Sequence, residues 1–321
     1  MPTPQAILAP TGLHQHHLEF LIRPAIGSGE VVAAVGGLWS SRVTGRVDGG
    51  EDGAVRSAGG LTAIVVGFGP DLWERLAPGE RPAGFGPARR VLRPDGSVAV
   101  PATQRDLWVW LNGSHYGTVL DAAMAVIAIL DPVAELAMEQ PCFLHQDSRT
   151  WEGFIDGTEN PGPFEAAQVA IVPDGLAGAG GSTAIIQRWV NTGLREFAAL
   201  DLPAQEAAFG RTKRDSVQLD PLPPASHVAR NVLVEGGEEL HILRRNIPFG
   251  TVRERGYVFV GLAADQTRVT RMLDRMFGAD AGPGEVPVVD AITAYLRAES
   301  SSSYFVPPLE MLVRVDAGPV E

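Results

Sequence analysis

Apolar and polar positions along this chain repeat with two different periods, and the switches between them mark its elements. Leu61 to Phe68 is an apolar, β-branched run that passes through Gly69-Pro70 into a short helical pattern from Asp71 to Leu76. Leu107 to Leu111 (LWVWL) reads as a strand, and the Ala/Met-rich stretch from Val119 to Leu130 reads as a buried helix that stops before Asp131-Pro132. The same order returns in the second half. Thr183 to Val190 (TAIIQRWV) is strand-like and precedes a helical Leu194 to Leu200, and Tyr257 to Leu262 (YVFVGL) is strand-like and leads to the clearest helix of the chain. In that helix Asp265 can cap, Val269, Met272, Leu273, Met276 and Phe277 share one face, and Gly278 sits where a left-handed residue ends the last turn.

Strands interleaved with helices through irregular connections predict an α+β fold. Each half is expected to be a ferredoxin-like β-α-β-β-α-β unit of the dimeric α+β barrel type, with antiparallel sheets and helices packed on one face. The boundary falls between Glu139 and Arg149, which gives an N-terminal unit over 1–145 and a C-terminal unit over 146–321. Gly45 to Gly60 and Pro78 to Gly96 read as long surface loops, and the glycine-rich Asp174 to Gly181 reads as a mobile connection, because no Lys-Ser/Thr follows it to make a phosphate loop.

Composition narrows the function. The 26 basic and 38 acidic residues leave a formal charge of −12, which argues against nucleic acid as a partner. A single cysteine, Cys142, rules out an internal disulfide framework and a thiolate metal site within one chain. Met1 to Pro10 has neither a basic start nor a long apolar core, and no apolar run approaches the roughly 20 residues of a membrane helix, so a soluble cytoplasmic protein is expected.

The most distinctive local sequence is Gly153-Phe154-Ile155-Asp156-Gly157-Thr158-Glu159-Asn160-Pro161. Its Asp-Gly and Asn-Pro dipeptides alone indicate only a turn. Downstream come Ser226-His227-Val228, the run Ile242-Leu243-Arg244-Arg245-Asn246-Ile247-Pro248-Phe249-Gly250, the helix end Arg275-Met276-Phe277-Gly278 and the segment Tyr304-Phe305-Val306-Pro307-Pro308. If Ile242 to Ile247 is extended, Arg244 and Asn246 point to one face and Arg245 to the other, where it is expected to be a surface or interface charge. Spacing alone does not single out any of the seven histidines; His14, His16 and His17 read as surface residues.

Taken in order, these segments resemble the dye-decolourising peroxidases, most closely the bacterial B-type (class P) branch, over essentially the whole chain. The resemblance implies a peroxidase using haem b, hydrogen peroxide and phenolic, dye-like or other one-electron donors, working through a ferryl intermediate. It also implies a role for each matching residue. His227 would be the proximal iron ligand and Asp290 the acceptor for its second ring nitrogen, although Asp290 reads equally well as a surface Asp starting a helix. Asp156 would be the distal base, Arg244 the cation that stabilises the leaving oxygen, and Asn246 the polar group completing that pocket. Burial alone would protonate Asp156, so a nearby Arg244 is required to keep it charged. Phe259 would lie over the distal face or be plain core, Arg211 would meet a propionate or be a loop charge, and Thr158 and Glu159 would touch the cofactor. Trp108, Trp110, Trp151, Trp189, Tyr257, Tyr295 and Tyr304 could carry electrons from bulky donors to the haem edge, but read mostly as packing residues. A different class of function, haem or porphyrin handling with incidental peroxidase activity, needs no distal acid and cation. A homo-oligomer is expected. An encapsulating shell partner is not, because only thirteen residues follow Pro308 and none reads as a docking tail.

Overall fold

The computed structural model describes residues 2–39, 46–47, 56–57 and 61–312. Eight strands make the main sheet: β1 His14–Ile22, β2 Leu61–Phe68, β3 Leu107–Gly113, β4 Ala134–Phe143, β5 Ser182–Asn191, β6 Leu243–Gly250, β7 Arg255–Ala263 and β8 Leu296–Val306. Their order is β6-β7-β5-β8-β2-β3-β1-β4, and every neighbouring pair is antiparallel. Each half therefore repeats one order (second, third, first, fourth strand), with helices after its first and third strands, so the protein is mixed α+β with two sheet-bearing halves.

The barrel expectation fails. Among the described residues the strand ladder is linear, with β6 and β4 at its ends and no closing pair. Nor are there two separate sheets, because β8 of the second half pairs with β2 of the first through Phe305 and Phe68. Pro141 in β4 and Pro248 in β6 fall on the two end strands, where a residue lacking an N–H is tolerated.

Both faces of this sheet are covered, which periodicity alone could not show. On one face of the first half, Leu18, Phe20, Val66, Phe68, Val109 and Leu111 pack under the helices Ser28–Gly36, Pro70–Leu76 and Tyr116–Leu130. On the other face, Val65, Trp108 and Trp110 join Ile186, Ile247, Val258, Val260 and Tyr304 in one cluster, so the two halves of the sheet pack on each other. The helix Thr267–Met276 covers the remaining face of the second half through Val269, Met272 and Leu273. Its predicted ends hold: Asp265 Oδ1 accepts from Thr267 N at 2.9 Å, and Gly278 takes φ +72°.

The doubly covered sheet corrects the histidine reading. His16 and His17 are 1% and 0% exposed, not at the surface, because β1 lies between β3 and β4. The polar side chains of β1 that enter the shared core find partners there, except that His17 Nε2 has none. Trp110 Nε1 donates to Gln15 Oε1 at 2.9 Å, Trp108 Nε1 to His17 Nδ1 at 3.3 Å, and Tyr304 Oη to Glu19 Oε1 at 2.5 Å, while Arg105 pairs with Glu19 at 3.1 Å. Burial, helped by the neighbouring His16, pushes the His17 pKa down to about 3.

Of the three loop expectations, one falls outside the described residues and two change in part. Gly45 to Gly60 lies outside the described residues except for the paired Arg46–Val47 and Arg56–Ser57. Pro78 to Gly96 is not wholly a surface loop, since Phe85, Ala88 and Val91 are buried and Val91–Leu92 pairs with Val98–Val100. Of the Asp174 to Gly181 segment, residues 174–177 are exposed but Gly178, Gly180 and Gly181 are buried, and a Cβ on Gly181 would stand 2.3 Å from Cζ of Phe305. No helix among the described residues is long and apolar enough to cross a membrane.

His17 makes a pH prediction. Its folded pKa lies below its unfolded value, so the unfolded chain binds the extra proton first, and stability is lost as pH falls from about 6.5 towards 3 by up to ~1.4 kcal/mol per pH unit. Denaturant titrations of wild type and His17→Phe across that window should show a shallower acid loss in the variant; parallel curves would refute the assignment.

Candidate active site

The main cavity of the second half lies between its sheet and its helices. Gln187 and Trp189 of β5, Arg244 and Asn246 of β6 and Tyr257 and Phe259 of β7 line it from the sheet. His227, Asn231, Met272, Leu273 and Ile292 line it from the helical layer, and Asp156 to Glu159 close one side. Its empty volume is about 1250 Å³, mouth included.

The Gly153 to Pro161 segment owes its shape to glycine. Gly153 and Gly157 have φ +90° and +79°, which side chains other than glycine rarely adopt. Between them, Thr150 N donates to Phe154 O at 2.8 Å, Asp156 N to Ser148 O at 2.9 Å and Gly157 N to Asp156 Oδ1 at 2.8 Å. Asn160 then fastens the segment to the sheet. Its Oδ1 accepts from Arg244 N at 2.9 Å and its Nδ2 donates to Arg244 O at 3.0 Å, completing backbone groups on the free edge of β6. Sequence reasoning had no role for Asn160; the Asn-Pro dipeptide read only as a turn.

Periodicity placed the β6 side chains correctly. Arg244 and Asn246 share the cavity, while Leu243, Ile247 and Phe249 enter the core between the sheet halves. Phe259 pairs with Asn246 across β6 and β7 and is half-buried in the cavity wall. Its ring folds over Gly261, where a Cβ would stand 2.9 Å from Phe259 Cε1. Arg245 is not a plain surface charge. It is half-buried and lines a second cavity.

Asp156 and Arg244 interact electrostatically, but not with the expected result. Burial pushes the Asp156 carboxyl above the usual carboxylate range, and the opposing pull of Arg244, the Gly157 N–H and His227 does not cancel it; Glu152 adds to the rise. Burial likewise lowers the Arg244 pKa, against the attraction of Asp156 and Glu159.

Of the histidines, His227 alone lines this cavity among the described residues. Ser226, fully buried, starts the short helix His227–Asn231 by accepting from Ala229 N at 3.3 Å. His227 Nδ1 lies 2.7 Å from Asp290 Oδ2, which leaves Nε2 as the ring nitrogen open to a ligand. Asp290 satisfies both sequence readings at once. Its Oδ1 accepts from Ile292 N at 3.1 Å to cap the 3₁₀ turn Ala291–Ala294, yet it is 1% exposed and not a surface residue. Asn231 Nδ2 donates to His227 O at 2.8 Å and steadies the ring from one turn on. Arg211 pairs with Glu159 and donates to Ser216 O at 2.7 Å, while its Nε is buried without a partner. Thr158 Oγ1 lies 3.2 Å from Ser216 Oγ, at the same rim.

The comparisons with known proteins agree across the chain. Residues 5–143 match the family "Dyp-type peroxidase, N-terminal" and residues 147–311 match "Dyp-type peroxidase, C-terminal". This chain belongs to the Dyp-type peroxidase family. A dye-decolorizing peroxidase of Rhodococcus erythropolis is 35% identical over 265 residues, which are 79% of this chain and 74% of that protein. Among solved structures, DyPB from Rhodococcus jostii RHA1 is 29% identical with a TM-score of 0.85, covering 98% of each chain, and variants of it are known in complex with heme. The encapsulated DyP-type peroxidase from Mycobacterium smegmatis is 29% identical with a TM-score of 0.84, covering 100% of this chain and 99% of its own. That likeness overturns the expectation that a shell partner is excluded, which rested only on the few residues after Pro308.

The cavity fits the haem of such an enzyme: it is large, lined by aromatic and aliphatic side chains, faced by one imidazole held in a fixed tautomer, and rimmed by a guanidinium with a spare buried N–H. The Asn160 clamp is testable without any cofactor. Asn160→Ala removes two hydrogen bonds to the β6 edge and should lower unfolding stability by about 1–3 kcal/mol, as read by denaturant melts, with a matched surface substitution such as Asp174→Ala unchanged.

Proposed function

We propose that this chain is a haem b peroxidase of the B-type branch, reducing hydrogen peroxide and oxidising phenolic, dye-like or other one-electron donors. The observation that carries the reading is the His227–Asp290 pair at 2.7 Å in the same cavity as Asp156, Arg244 and Asn246. Heme-bound relatives of the same fold support it.

When bound, haem supplies the iron that cleaves peroxide and draws single electrons from donors. The chain's own part is to hold and to move protons. His227 would offer Nε2 to the iron, and Asp290 would accept a hydrogen bond from Nδ1–H, which keeps the proton on Nδ1 and makes the imidazole a stronger donor. Asp156 collects a proton from peroxide and returns it to the departing oxygen. Burial raises that carboxyl while the neighbouring Arg244 pulls it down, so Arg244 is what favours the charged form that can take the proton. Arg244 places a permanent charge where negative charge develops, and Asn246 adds a neutral donor beside it. Arg211, Thr158 and Glu159 edge the cavity where propionates would emerge, so Arg211 would exchange part of its pairing with Glu159 for a propionate. Phe259 supplies an apolar wall. A cytoplasmic location belongs to the same reading, with Cys142 free and buried, and so does a protein shell as partner, on the likeness to the encapsulated relative.

Absorption spectra of the purified protein before and after one equivalent of peroxide test cofactor and reaction together. Wild type should show a haem band that peroxide shifts, and His227→Ala should lose most bound haem; native-like haem content in that variant would remove His227 as the ligand. The distal roles are ranked by stopped-flow. Arg244→Leu should slow the reaction with peroxide by about 10²–10³-fold, as removal of an electrostatic stabiliser does, and far more than Asn246→Ala. The reverse order would overturn the assignment.

A further inference from the structure

A second cavity backs onto the first. Asp156, Arg244, Asn246 and Tyr257 line both, so they form the partition between the two. The second cavity opens between the halves, with Gln15 of β1 and Phe143 of β4 on one side and β6 on the other, and has an empty volume of about 680 Å³, mouth included.

Its charges do not balance. Arg149, in its wall, is already engaged by Asp147 at 3.1 Å and by the carbonyls of Gly153 and Lys213 at 3.0 Å each. The His145 ring packs against Trp151 at a 39° tilt, with centroids 4.2 Å apart. Arg245 has no such partner. Among the described residues no carboxylate lies within ion-pair distance of its guanidinium, and its one hydrogen bond runs from Nη1 to the carbonyl of Arg244 at 3.3 Å. The Arg244 guanidinium likewise has no carboxylate at ion-pair distance among the described residues. The charge acting on both is Asp156, whose own carboxyl burial pushes towards the neutral form. A half-buried cation without a counter-ion is costly, and a cavity beside it gives room for one.

We propose that this second cavity binds a small aromatic carboxylate, held by Arg245 and distinct from the haem site. A planar guanidinium takes a carboxylate through two parallel hydrogen bonds, which a neutral ligand cannot reproduce. Phe143, Leu144, Ile247 and Pro248 give the same cavity apolar walls for a ring. The bound anion would rest against the partition that carries Asp156 and Arg244.

Calorimetric titration of the full haem-loaded chain with benzoate, and with benzamide as its neutral counterpart, tests the site, while the haem Soret band reports on the iron. Benzoate should bind at least tenfold more tightly than benzamide without moving the Soret band. Arg245→Gln should abolish that preference, and Arg245→Lys, which keeps the charge but loses the fork, should retain part of it. No binding, equal binding of the two probes, an undiminished preference in Arg245→Gln, or benzoate binding that shifts the Soret band would each overturn the proposal. Calorimetry reads the same difference in protein that carries no haem, so failure here and failure of the peroxidase reading are separable.

Discussion

The bond pair between Asn160 and the backbone of Arg244 is the constraint on which the site depends. The Gly153 to Pro161 segment is a loop, and a loop by itself does not fix a side chain to within a fraction of an ångström. By completing an N–H and a carbonyl on the open edge of β6, Asn160 makes that loop a continuation of the sheet at one point. Asp156, four residues earlier, is thereby carried to the strand that bears Arg244 and Asn246. The end of a linear sheet is what makes this possible, since a closed ladder would leave no backbone groups for the loop to take.

Burial and charge work against each other throughout the site. Asp156 and Arg244 attract, yet each is shifted by burial towards its neutral form, so their mutual attraction offsets only part of what desolvation costs. The helical side of the cavity is arranged differently. His227 has a fully buried carboxylate at 2.7 Å, and that carboxylate is itself fixed by the N–H of Ile292. One side of the cavity therefore sets a ring against a buried carboxylate, and the other sets a carboxyl and a guanidinium together in a desolvated wall. Arg245 sits outside both arrangements, on the far side of the partition, with no carboxylate among the described residues at ion-pair distance and only the more distant Asp156 acting on it.

Much of the site was legible in the chain itself because it depends on local geometry. Alternation along Ile242 to Ile247 separated Arg244 and Asn246 from Leu243 and Ile247, and the structure keeps that division. Glycines at 153 and 157 announced a tight turn, and both stand at positive φ. Other features were illegible because they depend on what lies across the fold. The Asp290 carboxylate meets a ring 63 residues away; periodicity and spacing do not encode that encounter, and only the family resemblance pointed to it. His16 and His17 look like surface residues in HQHHLEFLI, but they lie on a strand covered on both faces, with tryptophan N–H and glutamate partners drawn from β3 and β4.

The amino-acid sequence by itself determined the element types, the repeated strand and helix order of the two halves, the face on which each β6 side chain falls and the family likeness. These follow from side-chain period, glycine and proline stereochemistry and motif order, all of them short-range. Tertiary structure decided that the two halves share one open sheet, that His227 is the histidine in the cavity, that Asn160 ties the Asp156 loop to β6, and that Arg245 faces a cavity of its own. Each of these depends on contacts between residues far apart in the chain, which form only when the sheet halves pack face to face and the helices settle over the outer side.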